Sequence, residues 1–173
     1  MKILVVVDMQ NDFINGALGT KEAENIVENV AIKICEYKDK EQTVIFTRDT
    51  HEEDYLSTRE GKFLPVSHCI KGTEGWEIRQ GLRKTGDMIV DKQTFGSLQL
   101  VEEIKMISTE NLVESIEFVG LCTDICVISN VMICKAAFPE IDIIVDSKCC
   151  AGVTPESHKT ALDAMKMCQI VIN

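Results

Sequence analysis

The chain has 173 residues, of which 45% are hydrophobic, and it carries a formal net charge of -10 at pH 7. This length and composition suit one compact domain over residues 1–173 with a hydrophobic core of its own, and nothing in them calls for a second domain. Because the charge is acidic and no run of Lys or Arg interrupts it, nucleic acid and anionic membranes are disfavoured as partners and a small molecule is favoured.

Apolar, β-branched runs alternate with segments of helical period along the chain. The first run, Ile3–Val7, predicts a buried strand and is too short for a signal peptide or a membrane span, so we expect a cytoplasmic protein. Further strands are predicted at Thr43–Thr47, Met88–Val90, Ile116–Val119, Ile141–Val145 and Gln169–Ile172. Helices are predicted at Lys21–Lys38, Leu98–Met106, Asp124–Phe138 and Pro155–Met167. The pattern predicts an α/β fold, a three-layer α/β/α sandwich around a mostly parallel six-stranded sheet.

Polar side chains follow the predicted strands where each strand ends. They are Asp8 after the first strand, Asp49 and His51 after the second, Asp91 and Lys92 after the third, Cys126 after the fourth, and Asp146 at the end of the fifth. The carboxyl ends of parallel strands meet at one edge of the sheet, where ligands bind at the point at which strand order reverses. We therefore predict a functional site at this edge.

Cys126 is the candidate nucleophile, because it lies at the start of a predicted helix that follows a buried strand. A helix N-terminus and the nearby Lys92 are expected to lower the pKa of its thiol from about 8.5. Asp8 is placed to take the thiol proton and to pass it to a leaving amine, and the backbone amides of Cys122 and Cys126 are candidates for an oxyanion hole. On residue types alone, a simple ion pair of Asp8 and Lys92 beside a core thiol is an equal alternative.

Six segments, distributed along nearly the whole chain, carry a family resemblance. They are Leu4–Phe13, Thr47–His51, His68–Gly75, Asp91–Phe95, Gly120–Val127 and Asp146–Gly152. In this order they resemble the isochorismatase-like cysteine hydrolases, and within them the nicotinamidases, also called pyrazinamidases. The resemblance implies a Rossmann-like single domain, a catalytic triad of Asp8, Lys92 and Cys126, and a cis peptide bond between Leu121 and Cys122 at the oxyanion hole.

A metal site is the second expectation. Asp49 and His51 stand two residues apart and can reach one ion if the chain bends. The natural third ligand is His68, which lies in the long irregular segment Thr50–Lys84 that follows the second predicted strand. Nicotinamidases carry this Asp-x-His pair with a later His, so the resemblance points to an amide substrate. The ion is expected to bind the pyridine nitrogen and to orient the carboxamide over Cys126. Zn is favoured, with Fe and Mn as alternatives.

The fourth ligand is predicted at Glu60. The family often has a further His at the place that Ser57 occupies here, whereas some members resemble this chain in using a Glu within a segment like Thr58–Lys62. The neighbouring carboxylates remain alternatives, namely Glu52, Glu53 and Asp54. A surface Asp with two solvated His residues is the alternative to any metal site.

Aromatic and apolar side chains near the same edge predict the substrate site. Phe13 and Phe95 are placed to stack on a planar ring, although core packing is nearly as good an explanation for each alone. Many relatives carry a tryptophan shortly before the His that corresponds to His68. Here Leu64 is predicted to take that position, with Phe63 and Trp76 as alternatives.

The predicted function is hydrolysis of nicotinamide to nicotinate and ammonia through a thioester on Cys126. The alternatives within the family are another small amide or isochorismate as substrate. From other classes, a non-catalytic metal- or ligand-binding protein and a thiol redox protein with a Cys122–Cys126 disulfide remain open. A homo-oligomer is also left open, and His158 is predicted to lie on a solvated helix face.

Overall fold

The computed structural model describes residues 1–173 and consists of one central sheet with helices on both faces. The strands are β1 (Lys2–Val7), β2 (Thr43–Asp49), β3 (Met88–Lys92), β4 (Ser115–Leu121), β5 (Asp142–Ala151) and β6 (Val171–Ile172). The α-helices are α1 (Asn11–Ile14), α2 (Lys21–Asp39), α3 (Arg59–Phe63), α4 (Leu98–Glu110), α5 (Ile128–Ala137) and α6 (Pro155–Met167). A 3₁₀ turn at Tyr55–Ser57 and a π-helical turn at Thr123–Val127 complete the structure. The predicted α/β sandwich is confirmed.

All five strand pairings are parallel, and the strand order is β3-β2-β1-β4-β5-β6. The chain adds strands on one side of β1 and then returns to add β4, β5 and β6 on the other side. Strand order therefore reverses at β1 and β4, and the crevice outside their carboxyl ends is where a ligand is expected. Asp8 directly follows β1, and the turn that carries Cys126 follows β4.

Alternate residues of β1 enter two separate apolar layers. Ile3, Val5 and Val7 pack in the cluster beneath α4, α5 and α6, whereas Leu4 and Val6 pack in the cluster beneath α2. Successive side chains of a strand point to opposite faces of the sheet, so a strand that is covered on both faces must be apolar throughout. This packing explains the continuous hydrophobic runs of the sequence.

Side-chain caps set the start of the three longest helices, α2, α4 and α6. The hydroxyl oxygens of Thr20, Ser97 and Thr154 each accept a hydrogen bond from a backbone amide in the first turn of α2, α4 and α6. Such caps pair amides that have no partner within the helix. Helix α6 has the bounds that the sequence predicts, with Pro155 at its first position.

Two expectations differ from the structure at this level. Strand β5 runs on to Ala151 through a register shift opposite Phe118 and Gly120, so the prediction that Asp146 closes the strand at the ligand edge is wrong. Asp146 instead pairs with Lys33 of α2 at 2.8 Å. The long segment after β2 also contains α3 and a 3₁₀ turn, which local sequence did not indicate. None of the helices combines the length and the hydrophobicity that a membrane crossing requires.

Candidate active site

Lys92 is the centre of a buried charged cluster at the carboxyl end of the sheet. Its Nζ lies 2.7 Å from Asp8 Oδ2, 3.3 Å from Asp49 Oδ1 and 3.5 Å from Cys126 Sγ. All four side chains are buried. The structure thus brings together Asp8, Lys92 and Cys126, which come from the ends of three different strands.

Backbone geometry around Asp8 is strained. Its φ is +46°, in the left-handed region that non-glycine residues rarely adopt. The hydroxyl of Thr47 donates to Asp8 Oδ1 at 2.6 Å, and the Asp8 amide donates to the hydroxyl oxygen of Thr47 at 3.3 Å. On the neighbouring strand, Gly120 has φ +115°, and a Cβ there would lie 2.1 Å from the Val7 carbonyl oxygen. A glycine is therefore required for β4 to approach β1 where the site begins.

Cys126 lies in the π-helical turn that links β4 to α5. The amide of Val127 donates to the carbonyl of Cys122 at 3.0 Å, which is the five-residue spacing of a π turn. Such turns are rare and occur often at functional sites. Every peptide bond in the chain is trans, so the expectation of a cis bond between Leu121 and Cys122 is wrong. The backbone of Cys122, directly before this turn, is extended.

Burial dominates the electrostatics of this cluster. It raises the pKa of the Cys126 thiol well above its ordinary value, Asp8 raises it further, and Lys92 opposes both. The prediction of a lowered thiol pKa is therefore wrong for the free protein, because desolvation of the thiolate outweighs the attraction of one ammonium group. Burial also raises the pKa of Asp8, against the effect of Lys92. A carboxylate with a raised pKa is a better proton acceptor for the thiol.

Four oxygen and nitrogen donors converge beside this cluster. Asp49 Oδ2 lies 2.9 Å from His51 Nε2 and 3.7 Å from His68 Nε2. Glu60 Oε1 faces the same two nitrogens, at 3.7 Å from that of His51 and 3.9 Å from that of His68. Ligand atoms of Asp49, His51 and His68 lie within 4.8 Å of one another, and these residues are buried. The 2.9 Å contact of His51 Nε2 with Asp49 lacks the geometry of a hydrogen bond, so this buried nitrogen has no hydrogen-bond partner, a state that a bound cation would relieve.

Contacts hold both imidazole rings in place, and for His68 they also fix which nitrogen points into this centre. His68 Nδ1 lies 2.8 Å from the Val66 carbonyl oxygen, so its Nε2 faces Asp49. The ring of Tyr55 packs against both imidazoles, with centroid separations of 4.6 Å to His51 and 4.9 Å to His68. Partners of this kind set the tautomer and the orientation of metal-binding histidines. The donor set, with two imidazoles and two carboxylates, suits Zn, Fe or Mn.

Gln10 holds the end of β2, where Asp49 lies, in place. Its side chain accepts from the Asp49 amide at 2.7 Å and donates to the carbonyls of Asp49 at 2.8 Å and Trp76 at 2.9 Å. Cys69, next to His68, has φ +47°, and its amide donates to Asp12 Oδ2 at 2.7 Å. The loop that carries His68 is thus held in a strained conformation by a carboxylate on α1.

A cavity of about 210 Å³ contacts Cys126 and three of the four donor residues. Its lining includes the three residues predicted to bind substrate, Phe13, Leu64 and Phe95, and also Asp49, Glu60, His68, Cys122 and Cys126. The alternatives for the position of Leu64 lie elsewhere. Phe63 is 78% exposed, and Trp76 is buried under Arg48, whose guanidinium carbon lies 3.4 Å from the Trp76 ring centroid.

Other polar residues near the site have positions that sequence reasoning did not predict. Asp91 faces away and pairs with Arg48, with 2.7 Å between Oδ1 and Nε. His158 is half-buried, and its Nδ1 lies 2.8 Å from Thr123 Oγ1, so the prediction of a solvated face is wrong. Asn130 is completely buried beside Cys126. These contacts join separate elements and therefore leave no periodic signal in the sequence. For Asn130 alone there is a local indication, because it lies four residues after Cys126 on a predicted helix and thus on the same helix face.

Comparison with known proteins places the chain among hydrolases. The model of the isochorismatase domain matches residues 2–173. The nicotinamidase of Schizosaccharomyces pombe is 26% identical over 98% of this chain and 91% of that protein, and nicotinamidase 1 of Arabidopsis thaliana is 30% identical over 86% and 68%. The crystal structure of Pyrococcus horikoshii pyrazinamidase in complex with zinc matches with a TM-score of 0.87 at 27% identity, covering 99% of this chain and 98% of that one.

Proposed function

The chain belongs to the isochorismatase family, and from that premise we propose that it is a nicotinamidase, which hydrolyses nicotinamide to nicotinate and ammonia through a cysteine thioester. One observation carries the proposal. The cavity of about 210 Å³ contacts Cys126 and also three members of the donor cluster, Asp49, Glu60 and His68. The names of the relatives, nicotinamidases and a pyrazinamidase, support a heteroaromatic carboxamide as the substrate class.

The proposed first half-reaction forms the thioester. Asp8 takes the proton of the Cys126 thiol as Sγ attacks the carboxamide carbon, and the carbonyl π electrons move onto oxygen. Lys92, 3.5 Å from Sγ, and the backbone amides of Cys122 and Cys126 stabilise the resulting negative charge. As the tetrahedral intermediate collapses, the C–N bond breaks and the proton held by Asp8 goes to nitrogen, so that ammonia leaves.

The second half-reaction hydrolyses the thioester. Asp8 is again a free carboxylate, and it takes a proton from a water molecule that attacks the thioester carbon. As the C–S bond breaks, Asp8 returns that proton to Sγ, and the acid is released as nicotinate after losing its own proton to solvent. Asp8 therefore acts first as base and then as acid in each half-reaction, which suits a carboxyl group whose pKa burial has raised.

One divalent ion is proposed at the donor cluster, held by Asp49, His51, Glu60 and His68. The buried, unpartnered His51 Nε2 and the mixture of imidazole and carboxylate donors fit such an ion. When bound, the ion supplies a Lewis acid for the ring nitrogen of the substrate. Zn is the favoured metal, since the Pyrococcus horikoshii pyrazinamidase was crystallised with zinc, and Fe and Mn remain alternatives.

The ring is proposed to lie between Phe13 and Phe95, with Leu64 closing the cavity. Phe13 packs at 5.5 Å from the His68 ring centroid, so a planar ring beside it is also directed towards the donor cluster. Offset stacking of aromatic rings with centroids about 4.5 to 7 Å apart is favourable. The donor cluster then sets the ring orientation, which presents the carboxamide to Cys126.

The test is ammonia release from nicotinamide by the wild type and by Cys126→Ala, each metal-loaded and after chelation. Activity in the loaded wild type, with loss in Cys126→Ala and in the chelated samples, would support a metal-dependent cysteine amidase. Cys35→Ala is the matched control, because Cys35 is an exposed free thiol on α2. Ammonia release that persists in Cys126→Ala overturns the proposed mechanism. An inactive wild type with metal bound overturns the substrate and directs the search to other small amides and isochorismate.

A further inference from the structure

Asn130 joins the nucleophile turn to the loop that carries Phe95. It lies on α5, four residues after Cys126, and has no solvent exposure. Its Nδ2 donates to the Cys126 carbonyl oxygen at 2.8 Å and to the Phe95 carbonyl oxygen at 3.0 Å, and its Oδ1 accepts from the Ser97 amide at 3.0 Å. Both N–H groups of the side-chain amide are therefore used, each on a different segment of the site.

The loop between β3 and α4 depends on this contact for its position. It begins directly after Lys92 and ends at Ser97, the N-cap of α4. Gly96 packs so closely on α5 that a Cβ there would lie 2.4 Å from Ile133 Cδ1. Phe95, within this loop, is 46% exposed, so packing holds its side chain only in part. The Asn130 bonds to Phe95 and Ser97 supply fixed anchors on either side of Gly96.

Phe95 separates two cavities. It lines the cavity of about 210 Å³ over Cys126, and also a second cavity of about 580 Å³ whose lining includes His51 and Tyr55. Glu60 is the other residue that both cavities share. The smaller cavity suits a single six-membered ring with its carboxamide, whereas the two cavities joined would hold a larger ring system. Because Glu60 is a proposed metal ligand, its displacement would disturb the metal site as well. Displacement of Phe95 would join the two cavities and leave that ligand in place.

We infer that Asn130 is a positioning residue that fixes Phe95 relative to Cys126 and thereby restricts the substrate to amides with one ring. The inference rests on the proposed function, since it takes the smaller cavity as the ring site and Cys126 as the nucleophile. Asn130 touches neither substrate nor reacting atoms. It acts through Phe95, whose ring forms the wall against which a substrate ring packs.

Two substitutions divide the contacts of Asn130. Asn130→Thr keeps a hydroxyl that can donate to the carbonyl four residues earlier, that of Cys126, and is too short to reach Phe95 and Ser97. Asn130→Asp keeps the acceptor for Ser97 and loses both donors. Ser129→Ala is the matched control, since the Ser129 hydroxyl donates to the Ile125 carbonyl at 2.6 Å on the same helix and makes no bond to the Phe95 loop.

The measurement is kcat and KM for nicotinamide and for a bicyclic analogue, quinoline-3-carboxamide, with melting temperature in parallel. In Asn130→Thr we expect KM for nicotinamide to rise about tenfold with kcat reduced less than about threefold, because a small displacement at a binding wall weakens positioning. The preference for nicotinamide over the bicyclic amide should fall by a similar factor. Ser129→Ala should leave both KM values and the preference unchanged.

A double-mutant cycle with Phe95→Ala separates positioning from a general structural role. If Asn130 acts through Phe95, Asn130→Thr adds little to the KM of the Phe95→Ala variant, whereas independent effects multiply. Effects on KM that multiply, or an unchanged KM in a folded Asn130→Thr, overturn the inference. Should Asn130→Asp fail to fold, Asn130→Thr alone decides. Failure of the proposed function is recognised separately, because then either the metal-loaded wild type releases no ammonia from nicotinamide or Cys126→Ala releases it at the wild-type rate.

Discussion

Asp8→Asn removes the proposed general base with little change in shape. The amide keeps an oxygen for the Thr47 hydroxyl, which now donates to Asp8 Oδ1 at 2.6 Å. Asn also tolerates the left-handed region, so the φ of +46° at this position is no obstacle, whereas Ala would add strain there. A general base contributes a factor of about 10² to 10⁴ in rate, so kcat for nicotinamide should fall by that factor.

Stability should change much less than activity in this variant. At 2.7 Å and an effective dielectric constant of 20, the attraction between Asp8 and Lys92 is about 6 kcal/mol, and desolvation of two buried ions offsets most of it. Lys92 also keeps Asp49 at 3.3 Å, so no orphaned charge is left behind. We expect the free energy of unfolding to change by less than about 2 kcal/mol and the melting temperature by less than about 6 °C.

Reactivity of the Cys126 thiol should change in the opposite direction to kcat. Asp8 is one of the groups that raise the thiol pKa, so its neutralisation lowers that pKa and increases the thiolate fraction at pH 7. Alkylation of Cys126 by iodoacetamide, followed by mass spectrometry, should therefore be at least as fast as in the wild type. Asp91→Asn is the matched control, since Asp91 is an exposed carboxylate paired with Arg48 outside the cavity. A fall in kcat of less than about tenfold, or slower alkylation in parallel with kcat, would refute the assignment of Asp8 as base.

Two further substitutions test the metal site and the packing of α2. Glu60→Gln should weaken Zn binding by at least about tenfold, measured in competition with a chelator. Glu52→Gln is the control, because Glu52 is an exposed neighbour, and it should leave Zn binding unchanged. Equal effects of the two substitutions would contradict Glu60 as a ligand. Lys33→Met removes the partner of Glu117, at 3.3 Å, and of Asp146, at 2.8 Å. Breaking a buried ion pair costs about 3 to 5 kcal/mol. Because Lys33 is 20% exposed, we expect the free energy of unfolding, measured with urea, to fall by about 2 to 3 kcal/mol. Adding Glu117→Gln should restore part of that loss; no destabilisation in Lys33→Met would show that solvent compensates the two carboxylates.

Elements with a strong local signal could be predicted from the sequence. The runs Ile3–Val7 and Thr43–Thr47 are apolar on both faces, and α6 has Thr154, Pro155 and Glu156 in the order of a helix start, so these elements match the structure. The parallel sheet followed from the alternation of strands and helices. The cytoplasmic location and the homo-oligomer stay predictions.

Contacts between distant segments could not be predicted in the same way. The extension of β5 beyond Asp146 depends on pairing with β4, since Gly120 pairs with Cys150 and Leu121 with Ala151 after the register shift. The half-buried position of His158 depends on Thr123, 35 residues away along the chain. Neither contact has a counterpart in local composition or periodicity.

By itself, the sequence determined the fold class, the edge of the sheet at which the site lies, and the candidates Asp8, Lys92, Cys126 and the four proposed ligands, because these follow from local hydrophobicity and from motifs. Tertiary structure alone decided the electrostatic state of the site. Whether a thiol pKa rises or falls depends on the balance between desolvation and nearby charge, and that balance exists only when Asp8, Lys92 and Cys126 are buried within a few ångströms of one another. The same is true of Asn130, whose three hydrogen bonds join segments that are separate along the chain.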